Sequence, residues 1–173
     1  TDELAAAIDS AATLAEVEDL YRPYKQKRRT RATAAREKGL EPLAQLLFAQ
    51  GKDCPAPEKA ALDYLDPEKG VATVADALQG AHDIAAEWIS DDAAIRKTLR
   101  EHTLRQGKLV SKAVTEEDTV YRLYYDFEQA VPRLQGHQVL AIDRGEREGK
   151  LTVTVLEDRE RLLPMVRRAV VVP

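Results

Sequence analysis

The sequence predicts a mainly α-helical protein, a multi-helix bundle with a C-terminal β-hairpin. Two observations predict the helices: apolar residues recur at intervals of three and four, and helix-capping residues stand before several of these runs. A third observation predicts the hairpin, because from His137 onward apolar residues alternate with polar ones. We therefore expect a helical core domain at residues 1–136, followed at residues 137–173 by the hairpin and the start of a truncated element.

Short helices are predicted in the first quarter of the chain. The Thr13 hydroxyl and the Glu16 carboxylate form a capping box in front of a helix that runs to about Arg22. Thr30 is expected to cap a second short helix, which Gly39 ends in the left-handed conformation. A loop is therefore expected between these two helices.

Further helical runs follow. Pro42 and Pro57 suit the first turns of two helices. Thr73 is expected to cap the longest helix, and another helix is predicted to end at Gly107. The apolar stripe of the longest helix consists of Val74, Leu78, Ala81, Ala85 and Trp88.

The last part of the chain combines one predicted helix with predicted strands. Residues 108–114 are expected to be extended, and a helix is predicted at residues 115–127. The proposed hairpin pairs a strand at residues 139–142 with a strand at residues 150–155. The charged stretch 143–149 is expected to connect these two strands.

A strongly basic segment, residues 22–38, lies in an otherwise acidic chain. It contains eight basic residues and one acidic residue, so its net charge is about +7, while that of the whole chain is −4. Tyr21 and Tyr24 flank Pro23 at its start. Because clustered cations bind phosphates and aromatic rings stack on unpaired bases, nucleic-acid contact is one interpretation. Its candidate residues are Arg22, Lys25, Lys27, Arg28, Arg29 and Arg31.

Other interpretations of the basic segment stay open. In one, its cations pair with acidic residues of neighbouring helices, and such surface pairs contribute only about 0–1 kcal/mol each. In another, the segment contacts a protein partner or another domain. Tyr21 and Tyr24 are expected to anchor the core or the loop rather than to stack on bases.

Four stretches of the sequence carry a resemblance to a known family. They are LYRPYKQKRRTRATAAREKGLEPLA at residues 20–44, YLDPEKGVATVADALQGAHDIAAEWI at 64–89, GKLVSKAV at 107–114 and HQVLAIDRGEREGKLTVTV at 137–155. In these stretches the chain resembles the Tex-type transcription accessory proteins, bacterial relatives of a eukaryotic transcription-elongation factor. The family's RNase-H-like domain, helix-hairpin-helix motifs and OB-fold RNA-binding domain have no counterpart here.

The resemblance implies a helical scaffold fragment of a nucleic-acid-binding transcription accessory protein. The implied partners are RNA or DNA, reached through the longer protein, and the transcription machinery. The rival interpretation is a structural or protein-interaction module that makes no direct nucleic-acid contact.

Residues that would support catalysis or metal binding are sparse. Asp143 ends a predicted strand before a glycine turn, as in RNase-H-like nucleases, but a two-metal site needs further converging carboxylates. The three histidines and Cys54 lack metal-ligand spacing, and no phosphate-binding glycine loop occurs. We therefore expect no enzyme activity, no bound metal and no cofactor.

The expected location is a reducing cytoplasm, without a membrane partner. The single cysteine allows no internal disulfide. No apolar run approaches the roughly 20 residues that a membrane-spanning helix needs.

Overall fold

A computed structural model describes residues 1–25, 28–114 and 116–172 of the protein. Within these residues the helices are α1 (Asp2–Asp9), α2 (Leu14–Tyr21), α3 (Arg31–Glu37), α4 (Glu41–Phe48), α5 (Pro57–Leu62), α6 (Val74–Asp91), α7 (Ala93–Gln106), α8 (Gly136–Arg147) and α9 (Arg159–Val170). The strands are β1 (Lys108–Ala113), β2 (Asp126–Ala130) and β3 (Leu151–Leu156). The predicted mainly α class is confirmed, and the strands form a small antiparallel sheet.

Two compact units make up the chain. The first comprises Thr1–Lys97 together with Arg168–Pro173, and the second comprises Thr98–Arg167. The domain boundary predicted between residues 136 and 137 stays a prediction, because compactness alone does not show where an independently folding domain begins.

Helix α6 is the centre of the first unit, and α3, α4 and α5 pack against it. The larger, fully buried apolar side chains of this core are Leu40, Leu43, Val71 and Ile84. Alanines fill much of the remaining space, at Ala32, Ala35, Ala44, Ala60, Ala61, Ala77 and Ala81. Trp88 is partly buried at the end of the stripe, with its ring edge-on to Phe48 at 5.4 Å between centroids. The alanine-rich composition therefore serves close helix packing as well as helix propensity.

The approach of neighbouring residues to α6 is especially close at Gly80. A β-carbon at this position would lie 2.2 Å from Leu40 Cδ1 and 3.3 Å from Ala35 Cβ. Leu40 is itself buried, so its side chain has little room to move away. Glycine within a helix costs about 1 kcal/mol relative to alanine. At Gly80 the packing of the core requires it.

Helix starts are confirmed where capping residues predicted them. Thr13 Oγ1 accepts a hydrogen bond from Glu16 N at 3.3 Å, although the Glu16 carboxylate accepts from Ala12 N rather than from Thr13 N. At the start of α6, Thr73 and Asp76 form the reciprocal capping box. The hydrogen bond from the Thr73 hydroxyl lowers the pKa of the Asp76 carboxyl.

The second unit contains the three-stranded sheet, in which β1 is the central strand. Both neighbours are antiparallel to β1, and Ser111 pairs with Phe127 of β2 and Val153 of β3. Ser111 is fully buried, and its hydroxyl donates to the Tyr124 carbonyl at 2.6 Å. The extended conformation predicted for β1 and the strand predicted at β3 are confirmed.

The helix predicted at residues 115–127 is wrong. Its expected cap, Thr115, lies outside the described residues, and Arg122–Tyr124 form only a short 3-10 helix. Strand β2 begins at Asp126 and pairs with β1 along its whole length. The apolar spacing of this stretch suits a helix, but pairing with a distant strand outweighs a local preference of that size.

The first strand of the predicted hairpin is also wrong. Residues 139–142 belong to α8, and β3 pairs with β1 instead. Gly145, which suggested a turn, lies within α8, where a β-carbon would be 2.6 Å from Leu151 Cδ1 and 3.1 Å from Tyr121 Cδ1. This glycine therefore marks close packing of a helix on a strand. Gly149, with a φ of 68°, is the residue that turns the chain after α8.

We expect Gly80→Ala to lower the free energy of unfolding by about 1–3 kcal/mol. Overpacking against buried Leu40 produces this loss, which outweighs the gain in helix propensity of about 1 kcal/mol. Urea unfolding measures the change. Gly136→Ala is the matched control, because a β-carbon there meets no atom within 4 Å. A Gly80→Ala protein as stable as the wild type would contradict the packing analysis.

Candidate nucleic-acid interface

Helix α6 carries an acidic stripe formed by Asp83, Glu87 and Asp91. These residues are four positions apart, so their side chains lie on one face of the helix. Each carboxylate pairs with one arginine of the basic segment. The atom pairs are Arg31 Nε with Asp83 Oδ1 at 3.9 Å, Arg36 Nη1 with Glu87 Oε1 at 2.7 Å, and Arg22 Nε with Asp91 Oδ1 at 3.0 Å. The basic segment is therefore attached to α6 over about two helical turns.

Glu87 makes the strongest of these attachments. Arg36 donates to Glu87 at 2.7 Å and to Glu41 at 3.3 Å, and its side chain is only 30% exposed. The hydrogen bond to Glu87 is the main cause that raises the pKa of the Arg36 guanidinium. Thr30, the confirmed cap of α3, donates its hydroxyl to the other Glu87 oxygen at 3.0 Å. Glu87 therefore holds both ends of α3.

The other paired arginines of the segment are more exposed. Arg31 is 87% exposed, and its contact with Asp83 is at the distance limit of an ion pair. Arg29 bonds Glu37 at 2.7 Å, but both side chains are exposed. Exposed pairs of this kind contribute about 0–1 kcal/mol, so a phosphate group competes with them at little cost.

Two further candidates, Lys25 and Arg28, are solvent-exposed cations. Within the part of the chain that the structure describes, Lys25 and Arg28 form no ion pair, and both side chains face solvent. Lys27, also predicted to bind nucleic acid, lies outside the described residues. The six predicted site residues thus differ in availability, with Arg22 engaged by α6 and Lys25 and Arg28 open to a ligand.

The two tyrosines of the basic segment differ from the prediction. Tyr21 is 54% exposed and Tyr24 is 63% exposed, so the expectation that they anchor the core is wrong, while a role in anchoring the loop stays a prediction. Tyr21 ends α2, and Tyr24 lies in the 3-10 turn that follows it. Exposed aromatic rings beside exposed cations form the combination that binds unpaired bases together with their phosphates.

Other candidate chemistry is less well supported. Asp143 lies in α8 rather than at a strand end, and its carboxylate bonds Arg147 at 2.7 Å. In the described ranges, no group of three or more histidine, cysteine, aspartate or glutamate side chains is placed to hold a metal ion. No helix among the described residues is long and apolar enough to cross a membrane.

Sequence reasoning missed the acidic stripe. Its signal was present, since Asp83, Glu87 and Asp91 follow the four-residue spacing of a helix face. The identity of their partners was not readable, because Arg22 and Asp91 are 69 positions apart. Only folding brings such residues together.

We expect Arg36→Ala to lower the free energy of unfolding by about 2 kcal/mol, because it removes the 2.7 Å charge-assisted hydrogen bond between Arg36 and the partly buried Glu87. Arg31→Ala is the matched control, since it removes the same charge from the same helix. The contact that it removes is the long, exposed ion pair between Arg31 and Asp83. We expect it to change stability by less than about 0.5 kcal/mol. Urea unfolding of both variants checks the difference, and equal losses would contradict the assigned roles.

Comparison with known proteins places the chain in a family. Residues 53–169 match the family model described as Tex central region-like. Protein Tex of Bordetella pertussis is 42% identical over 160 residues, covering 90% of this chain and 20% of the relative. Transcriptional accessory protein Tex of Neisseria gonorrhoeae is 36% identical over 159 residues, with the same coverages. The human S1 RNA-binding domain-containing protein 1 is 34% identical over 154 residues, covering 83% of this chain and 15% of the relative.

The chain spans about a fifth of the length of the curated relatives that it matches. The match to the family model covers more than half of the chain, and the identity to protein Tex extends over nine-tenths of it. The chain therefore belongs to the Tex family, in which its residues 53–169 correspond to the central region.

Proposed function

We propose that the chain is a helical scaffold part of a transcription accessory protein and that its basic segment contacts RNA or DNA phosphates. The observation that carries the proposal is the closeness in sequence of the exposed rings of Tyr21 and Tyr24 to the exposed cations Lys25 and Arg28, which form no ion pair among the described residues. The names of two relatives, a transcriptional accessory protein and an S1 RNA-binding domain-containing protein, support nucleic acid as the partner.

The paired and unpaired cations have different roles in this proposal. Arg22 and Arg36 bond the acidic stripe of α6 and hold the segment in place. The exposed side chains reach the phosphates, and they are Lys25, Arg28, Arg29 and Arg31, with Lys27 included on its sequence alone. A rigid support lowers the entropy cost of ordering the contacting side chains on binding.

The role that we propose is binding rather than catalysis. The pairing of Asp143 with Arg147 on one helix leaves that carboxylate without the converging acids of a two-metal site. The longer protein supplies the remaining contacts with nucleic acid and with the transcription machinery, and we place it in the cytoplasm.

A protein-interaction module is the second candidate function. The side chains of Val120 and Leu123 in the second unit are 88% and 83% exposed, and exposed apolar groups of this size favour contact with another protein. In this alternative the basic segment contacts an acidic partner surface.

Simultaneous replacement of Arg28, Arg29 and Arg31 by Ala is expected to weaken nucleic-acid binding. The slope of log affinity against log salt should fall by about 2–3, because each lost phosphate contact removes about 0.7–0.9. Fluorescence anisotropy with a labelled single-stranded RNA, titrated at several salt concentrations, measures the slope.

The matched control replaces Arg105, Arg122 and Arg147 by Ala. These exposed arginines lie outside the basic segment, and their loss changes the net charge by the same amount. The control should keep most of the wild-type slope. If both triple variants lose the same slope, or if the wild type binds no nucleic acid at low salt, the second candidate function is favoured instead.

Tyr24→Ala is expected to weaken binding to single-stranded nucleic acid by about 1–3 kcal/mol, the contribution of one stacked base. Binding to duplex DNA, in which bases are already stacked, should change much less. Tyr24→Phe keeps the ring and removes the hydroxyl, so it should bind like the wild type. Anisotropy titrations with both ligands check this, and a Tyr24→Ala protein with unchanged single-strand affinity would remove the ring from the interface.

A further inference from the structure

Gln50 has an unusual backbone conformation immediately after α4. Its φ is 48°, and no other non-glycine residue in the described ranges has a positive φ. Glycine or asparagine is usual at this left-handed position, because a β-carbon is crowded there. The glycine usual at such a turn is the next residue, Gly51, and not the residue that has the left-handed backbone. A non-glycine residue at such a position is the starting point for asking what its side chain contacts.

The Gln50 carboxamide bonds the main chain on both sides of Val171. Its Nε2 donates to the Val170 carbonyl at 2.8 Å, and its Oε1 accepts from the Val172 amide at 3.0 Å. The same Nε2 also donates to the Phe48 carbonyl at 3.2 Å, so a hydrogen bond to the end of α4 helps to orient the Gln50 carboxamide. Val170 is the last residue of α9, so the carboxamide bonds the end of that helix and the backbone just beyond it. Gln50 therefore contacts main-chain atoms of residues 170 and 172, and these bonds do not depend on which side chains those residues carry.

The side chain between these two bonds meets an apolar cleft. Val171 lines a cleft of about 260 Å³ between α4 and α6, and Gln50 lies at its edge. The walls are mainly apolar and come from Ala44, Leu47, Phe48, Leu78, Ala81, His82 and Ala85. All of these residues belong to the first unit. Val171 contributes an apolar wall to the cleft, while the carboxamide holds the backbone on either side of it.

We propose that Gln50 and this cleft form a docking site for an apolar segment and that its occupant is the chain's own segment Val170–Val172, in which α9 ends. Recognition is by main chain at residues 170 and 172 and by side chain at residue 171. Val171 is 46% exposed, so an ionised side chain at residue 171 would lose part of its hydration against the apolar walls of the cleft, which disfavours it there. The Val172 side chain is 60% exposed and does not line the cleft, so a charge is tolerated there.

Hydrogen exchange of the Val172 amide, followed by NMR in the full chain, tests the clamp. Gln50→Gly removes the carboxamide and relieves the left-handed backbone, so α4 is expected to stay folded. The Val172 amide should exchange at least about 10-fold faster in this variant, because it loses its acceptor. Unchanged exchange of this amide would overturn the proposal.

Val171→Asp and Val172→Asp are the matched pair that tests the cleft. Val171→Asp should release the segment, speed exchange of the residue 172 amide by a similar factor and shift the methyl resonances of Ala81 and Ala85. Val172→Asp should leave the Ala81 and Ala85 resonances close to their wild-type positions. Equal shifts of the Ala81 and Ala85 resonances in the two variants would show that the cleft does not distinguish the side chain at residue 171 from that at residue 172.

A peptide with the sequence of residues 167–173 completes the test. Added at millimolar concentration to the Val171→Asp chain, it should move the Ala81 and Ala85 methyl resonances back towards their wild-type positions. The same peptide carrying Val171→Asp should leave them unchanged. If neither peptide shifts these resonances, the cleft is not a docking site for this segment.

Discussion

The close packing of Ala35 in α3 and of Leu40, the residue before α4, against α6 at Gly80 is the constraint on which the first unit depends. Because Gly80 lacks a β-carbon, Leu40 and Ala35 approach the helix backbone closely. This approach brings α3 near enough for Thr30 and Arg36 to bond Glu87. Apolar packing thus sets the spacing, and the ion pairs of the basic segment form at the distance that this packing allows.

Helix α6 also decides how an acidic chain presents a positive surface. The acidic stripe neutralises part of the basic segment, most firmly at Arg36 and Arg22, and leaves Lys25 and Arg28 without an ion pair among the described residues. The charges that determine position are therefore separate from the charges available to a ligand. This separation supports nucleic-acid contact by a chain whose overall charge is −4, because phosphate binding depends on local charge.

Glycine signals in the sequence proved to have two meanings. Gly39 and Gly149 have positive φ values and end helices, as turn residues do. Gly80 and Gly145 lie within helices, where each allows close contact with a neighbouring element. A sequence pattern does not distinguish the two uses, because both require only the absence of a β-carbon. The incorrect hairpin at residues 139–149 follows from this ambiguity.

Features that depend on neighbours in sequence were determined by the sequence itself. They include the mainly α class, the capped starts of α2, α3 and α6, and the family to which the chain belongs. The tertiary structure decided the pairing of β2 and β3 with β1, the exposure of Tyr21 and Tyr24, and the division of the basic segment by α6. The reason is physical: a cap bonds atoms three residues apart, whereas strand pairing, burial and long-range ion pairs depend on residues that only the folded chain brings together.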